Sequence, residues 1–204
     1  LSVAPRGSMM CRFLDPKTFF AAKSSWQILV GKGATSYAAT AGASSISNGV
    51  REICSVPGGG SGGRVEKNGT YSAALAGAAG GGGASTSSGA NDGAAGNFPS
   101  YVLGMAPPAD GYPGGASWSY FSGGGGGAGE AGSSPNKAKQ GGKGGEGLAS
   151  DIMGEEFVYG SGGGGGACHG SSNYGPGGNG GTNAGNGGGV VGKSEEESGT
   201  NVSA

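Results

Sequence analysis

Bulky apolar residues are concentrated in the first quarter of the chain and become sparse after it. Residues 17–30 form an apolar-rich stretch that predicts a β-strand. Its large apolar side chains are Phe19, Phe20, Trp26, Ile28, Leu29 and Val30. Residues 44–56 predict a β-hairpin, because Asn48 and Gly49 form a type I′ turn pair with apolar residues on both sides. We therefore expect residues 1–56 to be a small β-rich segment that anchors the rest of the chain.

Glycine dominates the part of the chain that follows, residues 57–192. Of the 54 glycines, five precede this part and one follows it, so 48 lie within it, roughly one residue in three. Many of them come in runs, at residues 58–60, 80–83, 123–127, 162–166 and 187–189. Glycine loses the most backbone entropy on folding and has no side chain to bury. An ordinary helix or sheet is therefore not expected here.

The composition leaves two structural alternatives for the glycine-rich part. Leu, Ile, Val and Phe number only 26 in 204 residues, which is too few for a conventional core and is typical of a flexible linker. The net charge is only −1, however, so charge repulsion does not keep the chain expanded. We favour order without a conventional core, and keep the flexible linker as the alternative.

The ordered solution for such a sequence is a bundle of polyproline-II-type helices. These helices have three residues per turn and no internal hydrogen bonds, so neighbouring segments must satisfy their backbone groups. Bare Cα atoms allow the close approach, while the lack of a strict Gly-X-Y period excludes collagen. The predicted fold is irregular and β-poor, a polyglycine II helix bundle with a small β-rich N-terminal segment. The glycines predicted to pack closely are Gly123, Gly125, Gly127, Gly162, Gly164 and Gly166.

Composition also limits the classes of function. The 12 basic residues are scattered, so we expect no nucleic-acid partner, and no stretch of about 18 apolar residues predicts insertion into a membrane. The cysteines are Cys11, Cys54 and Cys168, and the single histidine is His169. This spacing predicts no metal site and no cofactor. One disulfide with a free thiol and three buried thiols both remain open.

Catalytic motifs are weak in this chain. Residues 187–194 match the phosphate-loop pattern GxxxxGK[ST], but no apolar strand precedes them and no room for a helix follows, so we interpret the match as chance. An NTPase would depend on Lys193 alone. The carboxylates Asp151, Glu155 and Glu156 predict a solvated polar turn rather than an acid–base pair. We therefore predict a protein that is not an enzyme, with no catalytic residues.

The best candidate contact surface is the aromatic stretch ADGYPGGASWSYFS, residues 109–122. Exposed Tyr and Trp side chains stack on sugars and anchor interfaces at a low entropy cost. The predicted contact residues are Tyr112, Trp118, Tyr120 and Phe121. In the alternative, Trp118 and Phe121 fill the edge of the glycine bundle. Residues 193–204, which include three consecutive glutamates, predict a solvated acidic tail, which leaves residues 57–192 as the glycine-rich domain.

Residues 123–192 resemble a glycine-rich domain family found in phage tail and bacterial surface proteins. The matching segments are GGGGGAGEAG (123–132), GGKGGEGLASDIMGEEFVYGSGGGGG (141–166) and GPGGNGG (175–181). The family pattern of glycines followed by Ile-x-Gly and Tyr corresponds here to Ile152, Gly154 and Tyr159. Upstream, WQILVGKGATS and GASSISNGV are similar to the strand and hairpin that precede the domain. The tip adhesins of T-even-like phage tail fibres and the glycine-rich ectodomain of anaplastic lymphoma kinase-type receptors have comparable runs.

The resemblance implies an extracellular or virion-surface protein that recognises a partner through loops between glycine-rich helices. The expected partner is a cell-surface receptor or glycan. In the alternative, the protein is a self-assembling structural subunit of a filament, appendage or virion surface, and its partners are other copies of itself. The chain has fewer runs than a full adhesin needs, so neighbouring copies would supply the missing contacts. We therefore also expect a homo-oligomer.

Overall fold

The computed structural model describes residues 25–36, 39, 41–49, 51–65, 71–84, 92–94, 96, 101–102, 111–136, 139–167, 175–190 and 196–197. Within these residues the chain forms no helix, and the strands contain only two to five residues each. The strands are β1 (Gln27–Leu29), β2 (Ser44–Ser47), β3 (Glu52–Val56), β4 (Arg64–Val65), β5 (Tyr71–Ser72), β6 (Tyr101–Val102), β7 (Leu148–Ser150), β8 (Phe157–Tyr159), β9 (Gly189–Val190) and β10 (Glu196–Glu197). The prediction of an irregular, β-poor fold is confirmed.

Four of these strands form one antiparallel sheet in the order β1-β2-β3-β6. The predicted hairpin over residues 44–56 is confirmed as β2 and β3. The strand predicted over residues 17–30 is shorter, since only Gln27–Leu29 pairs with β2, and residues 17–24 lie outside the described residues. The fourth strand, β6, comes from the glycine-rich part of the sequence, so the sheet joins the two parts of the chain.

The turn of this hairpin differs from the predicted type. Ser47 pairs with Glu52, which leaves a loop of residues 48–51 rather than a two-residue turn. The backbone N–H of Arg51 donates to Oδ1 of Asn48 (3.0 Å), and the N–H of Asn48 donates to the carbonyl of Arg51 (3.2 Å). Gly49 has a φ of 79°, but that of Asn48 is not positive, whereas a type I′ turn needs both. The type I′ prediction is therefore wrong.

Three two-stranded antiparallel sheets join the remaining strands, as β4–β5, β7–β8 and β9–β10. The last of them pairs Glu196–Glu197 with Gly189–Val190. Part of the predicted acidic tail therefore forms a strand. Residues 191–195 and 198–204 lie outside the described residues.

Backbone hydrogen bonds between glycine-rich segments connect the rest of the fold. The central run, residues 122–128, shows the pattern most completely, because its successive N–H groups donate to three different neighbours in rotation. The N–H groups of Ser122, Gly125 and Ala128 donate to a first segment, at the carbonyls of Gly166, Gly163 and Gly160 respectively. Those of Gly123 and Gly126 donate to a second segment, at Gly83 and Gly80, and those of Gly124 and Gly127 donate to a third, at Ser133 and Glu130. All seven distances are 2.8–3.0 Å. The pairing therefore repeats every three residues, not every two as in a β-strand.

The segments approach one another at the distance of bare backbone. A Cβ built on Gly124 would overlap the carbonyl oxygen of Lys143, and one built on Gly142 would overlap that of Ser133. Among the described residues the buried apolar side chains are few and mostly small: Ile53, Cys54, Ala84, Phe121 and Ala128. Hydrogen bonds between segments, each worth about 0.5–1.5 kcal/mol net, therefore take over much of the role that an apolar core has elsewhere.

Candidate recognition surface

The central run has two ends, and the hydrogen-bond register assigns the loops to them. Tyr112 donates its N–H to Gly127 (2.9 Å), and Ala128 donates to Gly160, directly after β8, so the β7–β8 hairpin and Tyr112 lie at the same end. We call this the hairpin end. Residues 118–121 precede the central run and lie at its other end, which we call the turn end. Gly127 follows Phe121 by six residues, so in extended chain the two ends of the run lie up to roughly 20 Å apart.

The four predicted aromatic contact residues do not form one surface. Tyr112, 39% exposed, lies at the hairpin end, whereas Trp118, 50% exposed, lies at the turn end. Tyr120 is half-buried. Phe121 is only 1% exposed and is a core residue, since its backbone pairs with Trp118 and its ring lies beside Gly175. The structure therefore divides the aromatic stretch between two ends and the interior.

The turn at residues 118–121 has an unusual backbone. Trp118 and Phe121 exchange two backbone hydrogen bonds of 2.9 and 3.0 Å, so Ser119 and Tyr120 form a two-residue turn. Their φ angles are both positive, 40° and 71°, as a type I′ turn requires. Residues with a bulky side chain, such as Tyr, rarely adopt a positive φ. The buried Phe121 ring holds this turn against the glycine segments and leaves Trp118 half in solvent.

Among the described residues, the β7–β8 hairpin carries the largest exposed apolar group at the hairpin end. Ile152 and Met153 at its tip are 75% and 80% exposed. In β8, Phe157 is 49% exposed and Tyr159 is 38% exposed, and their ring centroids lie 5.0 Å apart with the planes tilted by 58°. Residues two apart in a strand share a face, so these rings form one aromatic surface behind the apolar tip.

Local interactions fix the shape of this hairpin. Leu148 pairs with Tyr159 and Ser150 pairs with Phe157, so the two strands are in register up to the turn. Gly154 closes the turn with a φ of 95°, which favours glycine, and its N–H donates to the carbonyl of Asp151 (2.8 Å). The apolar tip is therefore presented on a defined turn.

Polar contacts tie the base of the hairpin to the turn at residues 181–184. Asn183 donates from Nδ2 to the carbonyl of Val158 (3.2 Å), and the Thr182 N–H donates to Oε2 of Glu146 (2.8 Å). The other oxygen of Glu146 accepts from Nζ of Lys143 at 2.7 Å. The Lys143 ammonium, together with Thr182, lowers the pKa of Glu146 to about 2. Glu146 is therefore ionised at neutral pH and joins two segments.

Among the described residues, those that sequence reasoning selected for chemistry form no assembled site. Asp151, Glu155 and Glu156 are exposed around the hairpin tip, in agreement with a solvated turn. Cys54 is buried, whereas Cys11, Cys168, His169 and Lys193 lie outside the described residues. Over the described ranges no three His, Cys, Asp or Glu side chains could hold a metal ion. In the same ranges no helix has the length and apolar character needed to cross a membrane.

The six predicted packing glycines fall into two groups. A Cβ on Gly123, Gly127, Gly162 or Gly164 would overlap a carbonyl oxygen of a neighbouring segment. On Gly125 or Gly166 the nearest atoms would be 3.6 Å away, which is an ordinary contact. Close packing is therefore a property of particular positions in a run, because successive residues face different neighbours.

Sequence reasoning missed the exposed hairpin as a surface. Its two strands have only three residues each, too short for a clear alternation of apolar and polar positions. The available signal was the pair Ile152 and Met153 inside a turn bounded by Asp151 and Glu155. Apolar side chains at a solvated turn are unusual unless another molecule covers them.

The described residues thus define a glycine-rich protein without helices, connected by hydrogen bonds between backbone segments and carrying an exposed apolar hairpin. A sequence model of the glycine-rich domain family matches residues 7–203. The chain belongs to this family. Neither the curated proteins nor the solved structures contained a match to it.

Proposed function

We propose that this protein is a non-enzymatic recognition protein of an extracellular or virion surface, and that the hairpin end contacts its partner. The observation that carries the proposal is the exposed apolar tip, Ile152 and Met153, backed by the Phe157–Tyr159 ring pair. Aromatic and Met side chains are enriched at protein interfaces, and aromatic rings also stack on sugars. A cell-surface receptor or a glycan is the partner that fits this chemistry.

In this proposal the glycine-rich part is a polyglycine II helix bundle that acts as a rigid support. The three-residue rotation of N–H donors along residues 122–128 supports it, since three residues make one turn of such a helix. The approach of bare Cα atoms to neighbouring carbonyls supports it as well. A rigid support lowers the entropy that the loops lose on binding.

The test compares binding of the wild-type protein with that of the double variant Ile152→Ser, Met153→Ser. Binding to intact cells and to a glycan array is measured with fluorescently labelled protein. We expect the variant to lose at least tenfold in affinity, since burying two large apolar side chains contributes more than about 1.4 kcal/mol. Both residues are solvent-exposed, so the melting temperature should stay unchanged.

The matched control is Trp118→Ala, which removes a half-exposed aromatic side chain at the turn end. We expect this variant to bind as the wild type does. If Trp118→Ala abolished binding while the hairpin variant bound normally, the recognition surface would be the turn end. Normal binding by both variants would refute recognition through either end.

A second function, self-assembly as a structural subunit, has its own supporting observation. Among the described residues β1 is an edge strand of the four-stranded sheet, and Ile28 and Leu29 in it and Val30 directly after it are 73%, 62% and 79% exposed. An exposed apolar edge strand is a template for pairing with another chain. Sedimentation velocity over a range of concentrations tests this function. Assembly that Ile28→Lys abolishes would support it, and a monomer at all concentrations would exclude it.

A further inference from the structure

Among the described residues, the segments around the central run leave one side of it open. Five described segments surround residues 122–128, and neighbours among them are joined in turn by backbone hydrogen bonds. The joining bonds are Gly83 to Gly115, Gly132 to Pro113, Ser133 to Lys143 and Gly162 to Gly145, at 2.8–2.9 Å. Among the described residues no such bond joins the first segment, residues 80–83, to the last, residues 160–166. Between them lies a groove of about 770 Å³.

The groove is the position of a missing sixth neighbour. In a packed array of three-fold helices each helix has room for six neighbours, and donors and acceptors alternate around it. The N–H groups of the central run donate to three of its five neighbours, and its carbonyls accept from the other two. One of these two donates from Tyr112 and Gly115, and the other donates from Gly142 and Gly145. The remaining carbonyls of the central run are those of Gly123, Gly126 and Ala128, and all three residues line the groove.

Backbone donors from the two flanking segments line the same groove. In residues 162–167 the N–H groups of Gly162 and Gly165 donate to one neighbour and those of Gly164 and Ala167 to another. The N–H groups of Gly163 and Gly166 donate to no acceptor among the described residues, although their carbonyls accept from the central run. On the opposite wall the N–H groups of Ala79 and Gly82 likewise donate to none of the described residues. All four line the groove, and each pair is three residues apart.

Four of these seven groups belong to buried residues, namely Gly82, Gly123, Gly126 and Ala128. Ala79 and Gly166 are half-buried, and Gly163 is exposed. Buried backbone N–H and C=O groups are nearly always paired. The groove therefore combines unsatisfied donors on two walls with unsatisfied acceptors on its floor, at the three-residue spacing that the chain uses in its own pairing.

We propose that the groove binds an extended glycine-rich segment of another polypeptide as the sixth neighbour of the central run. Its N–H groups donate to the carbonyls of Gly123 and Gly126, and its carbonyls accept from Gly163 and Gly166 on one wall and from Ala79 and Gly82 on the other. This is the equivalent, for three-fold helices, of adding a strand to the edge of a sheet. The proposal does not depend on any role of the hairpin end.

The lining determines the class of the occupant. The groove residues are glycine, alanine and serine with the single exception of Val56, so charged or aromatic ligands meet no matching side chains. The existing neighbours approach so closely that their carbonyl oxygens lie where a Cβ would be on the facing glycine, as that of Gly115 does at Gly123. A segment with bulky side chains could not come as close. A run of glycines has both the required donors and acceptors and the required lack of side chains.

The test is a titration of the ¹⁵N-labelled full chain with a Gly-Gly-Ser repeat peptide carrying terminal lysines for solubility. The peptide has roughly ten residues, enough for three turns of a three-fold helix. We expect saturable shifts of the amides of Ala79, Gly82, Gly163 and Gly166. A peptide with valine in place of one glycine per repeat should not cause them. Absence of saturable shifts at millimolar peptide, or shifts confined to other amides, would overturn the proposal.

Variants that fill the groove provide the matched test. A Cβ on Gly125 meets nothing closer than 3.6 Å, and the other sides of the central run are covered, so Gly125→Leu projects into the groove. We expect it to melt normally and to weaken peptide binding by at least about tenfold, or 1.4 kcal/mol. Gly59→Leu, with nothing within 4 Å of its Cβ, serves if Gly125→Leu does not fold. The control is Gly33→Leu, whose Cβ also has nothing within 4 Å but lies outside the groove, and it should bind the peptide as the wild type does. Unimpaired peptide binding by a folded groove variant would contradict the proposal.

Discussion

Adjacent glycines in this chain have different surroundings. A Cβ on Gly164 would overlap the carbonyl oxygen of Gly178, whereas a Cβ on Gly163 would meet nothing closer than 3.6 Å. Both residues belong to the same run, and the sequence alone makes them equivalent. The difference arises because successive residues of the run face different segments, so that only some positions face a packed neighbour.

This difference predicts opposite effects of alanine at two neighbouring positions. Gly164→Ala should lower the free energy of unfolding by about 1–3 kcal/mol, because the neighbouring backbone must move. Gly163→Ala should leave it unchanged or raise it by up to about 1 kcal/mol, because alanine restricts the unfolded chain. Denaturant unfolding of the two variants measures both values. Equal destabilisation would contradict the described packing.

The depressed pKa of Glu146 predicts a loss of stability in acid. The pKa is about 2 in the folded chain and 4.5 in the absence of structure, so the stabilisation is present above pH 4.5 and is lost as the pH falls towards 2. Because the carboxylate is partly exposed, the effect should be modest. In Glu146→Gln the decrease in melting temperature between pH 5 and 2 should be smaller than in wild type. Glu155→Gln, at the exposed hairpin tip, should follow the wild-type curve.

At the scale of elements, hairpins were predictable where a turn pair separates two apolar runs, as in β2 and β3. The turn type was not, because Asn48 bonds to Arg51 within a longer loop. The β7–β8 hairpin was not found, because three-residue strands carry too little pattern. The burial of Phe121 depends on Gly175, which is far along the chain, and the residues around Phe121 in the sequence do not predict such a contact. The glycine runs predicted an absence of ordinary helices, but not which segments are neighbours.

The link between the β7–β8 hairpin and the turn at residues 181–184 can be tested at Asn183. This residue has a φ of 61° and donates from its side chain to the carbonyl of Val158. Asn183→Ala removes the hydrogen bond and keeps a Cβ in the left-handed conformation, whereas Asn183→Gly removes the hydrogen bond and also relieves that strain, which is worth about 1–2 kcal/mol. Both should speed hydrogen exchange of the hairpin amides, and the Gly variant should be the more stable of the two. Unchanged exchange in both variants would show that the hairpin is held by other contacts.

At the scale of the whole molecule, the fold exposes an unusual kind of surface when it unfolds. Most of what is released is backbone, because the described apolar core is small. Exposed apolar surface raises the heat capacity, whereas exposed polar surface lowers it. The heat-capacity change on unfolding should therefore be low for a chain of this length.

An average 204-residue protein has a heat-capacity change of about 2.4–3.1 kcal/mol/K, from roughly 12–15 cal/mol/K per residue. We expect differential scanning calorimetry to give a value well below this range, and the curve of stability against temperature to be correspondingly flat. A value inside the range would mean that a larger apolar core exists than the described residues contain.

The rotation of donors along residues 122–128 also has a consequence for how such sequences can change. Deleting one residue from the run moves every later N–H by one place in this three-residue repeat, so each one faces the wrong neighbour. Deleting three residues shortens the run but keeps every direction. The glycine runs therefore have a reading frame of three, and insertions or deletions that persist during evolution should come in multiples of three, as in a coding sequence.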